Sequence, residues 1–336
     1  MIAPNPVFAT AAMAILLATA VSAWAGGDNF ANLLQNGSTN SAAVDQSSGN
    51  DNLAGTALLG ARQNGNNNLL EFRQLGHGNE IGTGAGGFLQ KSNRNNATIR
   101  QTTDNNSVLE IQQTGIASGF GTHRRNTLAI VQEGGDGNVV QRVEQIRVGG
   151  LLALPGQQGN VASIVQNGAG NTVTLLSQNG LRNTADLNFK GNANMASAVQ
   201  EGAENTAAVT VTGDDNRLSL HQVGAGNAAT LSVQGYSNNA GAFSPGAHGA
   251  LADLAGLAPG DIVQVGLLNS IDYNLGSADP LSSGNSFAFS QNGVSNQIVG
   301  ETDGSGNQVV VVQEGTLNLT SFVQLGNFNT IGVSQR

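Results

Sequence analysis

The chain has 336 residues, 47 of them glycine and 6 proline, with no cysteine, 4% aromatic residues and a formal net charge of −9. So few large apolar side chains exclude an ordinary compact core at this length, and 10% charged residues exclude a highly charged disordered chain. The acidic balance argues against a nucleic-acid partner, since phosphate binding needs clustered Lys and Arg.

In chain order, residues 1–25 read as a secretory signal peptide. FATAAMAILLATAV (8–21) is an apolar run too short to span a bilayer, and Ala23-Trp24-Ala25 fits the small-x-small cleavage rule. No Lys or Arg precedes that run, so the amino terminus carries the only positive charge there. Cleavage is expected to leave a chain beginning near Gly26 and bound for the outside of the cytoplasm.

From there a repeat takes over. The pattern Q-x-G-x-x-N starts at Gln35, Gln63, Gln74, Gln166, Gln178, Gln200, Gln222, Gln264, Gln291, Gln313 and Gln324. Reading forward from each asparagine, apolar residues follow at +2 and +4 and a glutamine at +6, as in Asn307, Val309, Val311 and Gln313. Alternation of period two predicts a strand with one buried face, and by parity Asn, both apolar residues and Gln point inward. The four residues x-G-x-x between Gln and the next Asn form the turn, where glycine tolerates positive φ.

Each unit is therefore a seven-residue arm and a four-residue turn. Arms are predicted at 29–35, 40–46, 57–63, 68–74, 84–90, 95–101, 106–112, 126–132, 139–145, 160–166 and 171–177. They continue at 183–189, 194–200, 205–211, 216–222, 227–233, 258–264, 269–275, 285–291, 296–302, 307–313, 318–324 and 329–335. In two of them Phe189 and Val211 take the glutamine place. The rhythm breaks at insertions of about 47–56, 75–83, 113–125, 146–159, 234–257 and 276–284. The Gly, Ala and Pro content of 240–260 predicts a protruding loop there.

One arm cannot bury its own face, but two facing arms can. The predicted fold is all-β: a two-strands-per-coil β-solenoid of about eleven 22-residue coils across residues 26–336, with loop insertions. At about 4.8 Å per layer the stack is roughly 50 Å long. Inward amides are costly when unpaired, about 1–3 kcal/mol each, so the motif makes sense only where the same residue recurs in the next layer. The expected self-assembly ladder comprises Gln35, Asn40, Gln63, Asn68, Gln74, Gln166, Asn171, Gln200, Asn205, Gln222 and Asn227. It continues through Gln291, Asn296, Gln313, Asn318, Gln324, Asn329 and Gln335.

The repeat unit, in tandem behind a signal peptide, resembles the curlin repeat family from Asn29 to Gln335. That resemblance implies a secreted β-solenoid that polymerises into extracellular amyloid fibres of the curli kind, serving biofilm matrix and cell adhesion. It also implies a nucleator subunit, a periplasmic chaperone and an outer-membrane export channel as partners. Two features depart from the pattern. The chain carries about twice the usual five coils. Only Gly26, Gly27 and Asp28 stand where family subunits have a glycine-rich export segment. No capping element is readable beside arm 29–35 or arm 329–335, so both edges are expected to template a neighbour. A minor nucleator subunit, or a non-polymerising solenoid that displays its insertions as an adhesin, is the alternative.

An enzyme is not expected. His77, His123, His221 and His248 are scattered, and no phosphate loop or zinc-spaced pair occurs. Asp214-Asp215 sits in the turn VTGDDNRL, where Asp and Asn serve the backbone. EGGDGN (133–138), GDDN (213–216) and DGSGN (303–307) are similar to the turns of calcium-binding nonapeptide solenoids. Their Asp residues keep no fixed turn position, so no metal or other cofactor is expected.

Overall fold

The structure is a computed structural model that describes residues 28–115, 126–147, 159–276 and 281–336. The expected signal peptide lies outside these residues. The chain winds as a β-solenoid in which each arm crosses to the sheet opposite, and every strand pairs in parallel with strands one coil away. The first sheet is twelve layers deep and the second eleven. Ala196 stands over Leu218, Ala198 over Leu220 and Gln200 over Gln222, so the layers repeat in register.

Burial follows the alternation. In Thr184–Lys190, Ala185, Leu187 and Phe189 are buried and the residues between them are exposed. The core is thus a single file of side chains between two sheets, with rings concentrated where space allows. Phe72 meets Phe88 edge-on at 5.1 Å, and Tyr273 contacts Phe287 at 4.6 Å and Phe289 at 4.9 Å. Burial pushes the Tyr273 phenol well above its ordinary range, opposed in part by its hydrogen bond with Thr302. With the folded value raised, the unfolded chain loses this proton first. The stability it contributes is therefore whole below about pH 10 and is lost as pH rises further. Denaturation followed from about pH 9 to 11 should show that loss, and Tyr273→Phe should flatten it.

Three regions correct the predicted arms. The arms expected at 106–112, 139–145 and 171–177 run instead from Asn106 to Gln113, Asn138 to Gln145 and Asn171 to Gln178. Each carries one extra residue, and the register shift appears between Val173 and Leu175 where the next arm lacks it. A bulge restores inward parity after the extra residue, so Gln113 rather than Gln112 faces the core.

The arms expected at 57–63 and 84–90 begin earlier, at buried Asn52 and Asn79. Their strands are split, Leu53–Ala54 from Ala61–Asn64 and Glu80–Ile81 from Phe88–Lys91, with the extra residues leaving mid-arm at 55–60 and 82–87. The same device recurs at the arm expected at 258–264, whose asparagine is Asn238, buried on Asn216. Strand flanks held by the coils on either side let a loop leave at one inward position and return in register.

Residues 240–260 are not a simple protruding loop. They contain the helix Ala247–Ala255, closed by Gly256 in the left-handed conformation. It packs on the outer surface of the first sheet, where Ala252 and Leu257 cover Ala288, Val310 and Val312. His248 Nε2 and Gln308 Oε1 lie 2.8 Å apart, and the Ser244 N–H donates to the same oxygen. Val310 and Val312 are outward positions of their strand, and the helix is what buries them.

Candidate functional site

The amides form columns along the whole stack. In the first sheet twelve glutamines are aligned: Gln35, Gln63, Gln90, Gln113, Gln145 and Gln178, then Gln200, Gln222, Gln264, Gln291, Gln313 and Gln335. Each Nε2 donates to the Oε1 of the following layer at 2.6–2.9 Å. The second N–H of the amide is used across the coil, as when Gln200 Nε2 donates to Thr184 O at 2.9 Å. A primary amide has two donors and an acceptor to place, and this geometry places all of them in a dry interior.

The second sheet keeps such a column only in part. Gln46, Gln74, Gln101, Gln132 and Gln166 are joined by the same Nε2-to-Oε1 bonds. Phe189, Val211, Val233 and Leu275 then occupy the column, followed by Thr302 and Gln324. Thr302 Oγ1 donates to Gln324 Oε1 at 3.4 Å, while Gln324 Nε2 is buried without a partner.

The asparagine columns are unbroken. The second sheet stacks Asn40, Asn68, Asn95, Asn126, Asn160 and Asn183, then Asn205, Asn227, Asn269, Asn296 and Asn318. The first sheet stacks Asn29, Asn52, Asn79, Asn106, Asn138 and Asn171, then Asn194, Asn216, Asn238, Asn285, Asn307 and Asn329. Here each later residue donates its backbone N–H, its Nδ2 or both back to the Oδ1 of the layer before. The two kinds of column therefore run with opposite polarity.

The residues expected from the sequence fall into four columns. Gln35, Gln63, Gln200, Gln222, Gln291, Gln313 and Gln335 share the first-sheet glutamine column; Gln74 and Gln166 belong to the second. Asn40, Asn68, Asn205, Asn227, Asn296 and Asn318 share the second-sheet asparagine column, and Asn171 and Asn329 the first. Gln324 lies in the second-sheet column but next to Thr302, with no glutamine beneath it. Sequence reading passed over Gln113, Asn52, Asn79 and Asn238, because bulges and mid-arm loops disturb the spacing that carries the signal.

The turns fix how close the layers come. A Cβ built on Gly180, Gly202, Gly224, Gly266 or Gly293 would lie 1.8–2.0 Å from the carbonyl oxygen of the next glycine in the column. All five have positive φ, so the column admits no side chain.

Opposed polarity leaves two different end faces. The face at Asn29–Gln46 presents Gln35 Oε1 and Gln46 Oε1 as acceptors and the backbone N–H groups of Asn29 and Asn40 as donors, none of them used within the described residues. The face at Asn318–Gln335 has Gln335 Nε2 as a donor, with one bond to Leu319 O, and Asn318 and Asn329 Oδ1 as acceptors, while the unpartnered Gln324 Nε2 is buried in the last layer of the second sheet.

The remaining polar residues do not converge. His77 Nδ1 accepts from the Asn50 N–H at 3.0 Å, His221 lies on an outward arm position, and His123 is outside the described residues. Among the described residues no three His, Asp or Glu side chains are grouped to hold a metal ion, and no helix is long and apolar enough to cross a membrane.

The family model of the curlin associated repeat matches residues 26–55 and 191–224. Both stretches contain ladder residues, Gln35 and Asn40 in one and Gln200, Asn205 and Gln222 in the other. No curated protein matches the chain. The match supports a curlin repeat family for the chain.

Proposed function

We propose that this curlin-repeat protein is an extracellular fibre subunit, of the curli kind, whose copies stack head to tail through their end faces. The observation that carries the reading is the complementarity of those faces: glutamine donors and asparagine acceptors on one, glutamine acceptors and backbone donors on the other. An open strand edge that also carries unpaired amides is a template for an identical edge. Both the family and the fold point to a structural protein. Residues 1–25 would direct secretion, and nucleator, chaperone and outer-membrane channel partners follow from the family.

Purified protein diluted from denaturant, followed by amyloid-dye fluorescence and electron microscopy, tests this. Fibres should appear after a lag that added seed shortens; protein that stays β-rich, monomeric and dye-negative would remove the proposal. Replacing Gln324 and Gln335 with Ala takes both amide donors from one face. At about 1 kcal/mol per hydrogen bond, seeded elongation should slow by roughly tenfold or more. Ser321→Ala with Ser334→Ala changes only outward positions and should leave the rate near wild type.

The alternative reading, a surface-displayed binding module, draws on the helix Ala247–Ala255, where Leu254 is 78% exposed. Deleting 240–259, which keeps Gly260 in the strand ladder and leaves a seven-residue arm, separates the two. Fibre growth should survive, and should thicken laterally because Ala288, Val310 and Val312 become exposed. Loss of partner binding in the deletion variant would favour the binding module.

A further inference from the structure

We infer that successive copies in the stack are related by a half-turn about its long axis, so that the structural repeat is two copies. The inference rests on the end-to-end reading above and specifies how the faces meet. It follows from parity. Arms alternate between sheets, and between Asn29 and Gln335 there are twelve in the first and eleven in the second. Arms 29–35 and 329–335 therefore lie in the same sheet.

Suppose a second copy docks in the same orientation. Its arm 29–35 pairs with arm 329–335, but its arm 40–46 then lies two layers, roughly 9.6 Å, beyond arm 318–324. One strand is absent from the second sheet. Gln324 Nε2 stays unpartnered, and Phe322, Ala42 and Val44, all only partly buried against the core, stay uncovered.

A half-turn removes the gap. Arm 29–35 of the incoming copy then pairs with arm 318–324, and arm 40–46 pairs with arm 329–335. Both sheets continue, giving two strand pairs instead of one. The four terminal arms share one register, asparagine first and glutamine last, so either sheet accepts the other's edge. Gln324 Nε2 meets Gln35 Oε1 and Gln335 Nε2 meets Gln46 Oε1, while the N–H groups of Asn29 and Asn40 meet Asn318 and Asn329 Oδ1. Leu33 covers Phe322, and Val44 covers Val333.

The outer helix agrees with this choice. The column beneath it reads Ala288, Val310 and Gly332, and a Cβ on Gly332 would lie 3.1 Å from His248 Cα. The next residue in that column is Ala43 after a half-turn and the larger Asn32 without one.

Outward second positions report the junction directly. After a half-turn Thr330 lies beside Ser41 of the next copy; in the same orientation it lies beside Phe30. Neighbouring strands are about 4.8 Å apart, within the Cα separations a disulfide spans, and the chain has no cysteine of its own. Fibres of the Thr330→Cys, Ser41→Cys variant should become covalent multimers on oxidation, and those of Thr330→Cys, Phe30→Cys should not. The reverse result would overturn the half-turn while leaving fibre formation intact. Should either variant fail to assemble, electron microscopy of unmodified fibres decides. A rise of roughly 55 Å per copy with the helix alternating sides supports the half-turn, and one of roughly 58 Å with the helix always on one side overturns it. If the unmodified protein forms no fibre at all, the end-to-end reading falls and takes this inference with it.

Discussion

Gly202→Ala should destabilise the solenoid by about 4 kcal/mol or more, the range reserved for single changes that break a structural requirement. The φ of Gly202 is 107°, a conformation side chains avoid at a cost of about 1–3 kcal/mol. Its new Cβ would also stand 2.0 Å from Gly224 O, which is backbone and cannot rotate away. Layers would have to separate where Gly202 and Ala203 pair with Gly224 and Ala225. Chemical denaturation of soluble protein measures the change. A loss below about 1 kcal/mol, the size of an ordinary substitution, would show that the turn column adapts. Gly137 is the control: it has positive φ, but nothing lies within 4 Å of its Cβ position. Gly137→Ala should cost only the conformational part, about 1–2 kcal/mol.

The second large effect is expected from Gln200→Ala, at about 3–5 kcal/mol. Gln200 is fully buried; its Nε2 donates to Gln222, Thr184 and Asn205, and its Oε1 accepts from Gln178. Truncation leaves a cavity and orphans Gln222 Oε1, and unsatisfied buried groups cost about 1–3 kcal/mol each. The second sheet shows that an amide is not required at this place as such, since Phe189, Val211, Val233 and Leu275 fill four successive layers. What is costly is a lone break. Replacing Gln178, Gln200 and Gln222 together with Leu should therefore cost less than the sum of the three single replacements. Additive losses in denaturation midpoints would mean that the bonds act independently rather than as a column.

That contrast explains how much of the fold was legible. The eleven-residue period from Gln313 to Gln324, and the inward parity of Val309 and Val311, identify a strand, its buried face and its turn from local sequence alone. Spacing failed where a residue is inserted mid-arm. Leu109 shifts parity so that Gln113 replaces Gln112, and twenty-odd residues separate Asn238 from Ile262 in a single arm. Neither is visible locally, because register there is held by the coils above and below. The helix Ala247–Ala255 was concealed for a related reason: its partner surface is made of Val310 and Val312, more than fifty positions away in sequence.

By itself, then, the sequence determined the parallel stacking of arms, the identity of the inward residues and the need for amides to repeat, because each follows from period two and the cost of an unpaired amide. Tertiary structure alone decided which amides share a column and the opposite polarities of glutamine and asparagine. Those depend on which arms come to lie one above another, and stacking is settled by the whole winding of the chain, insertions included, rather than by any one repeat.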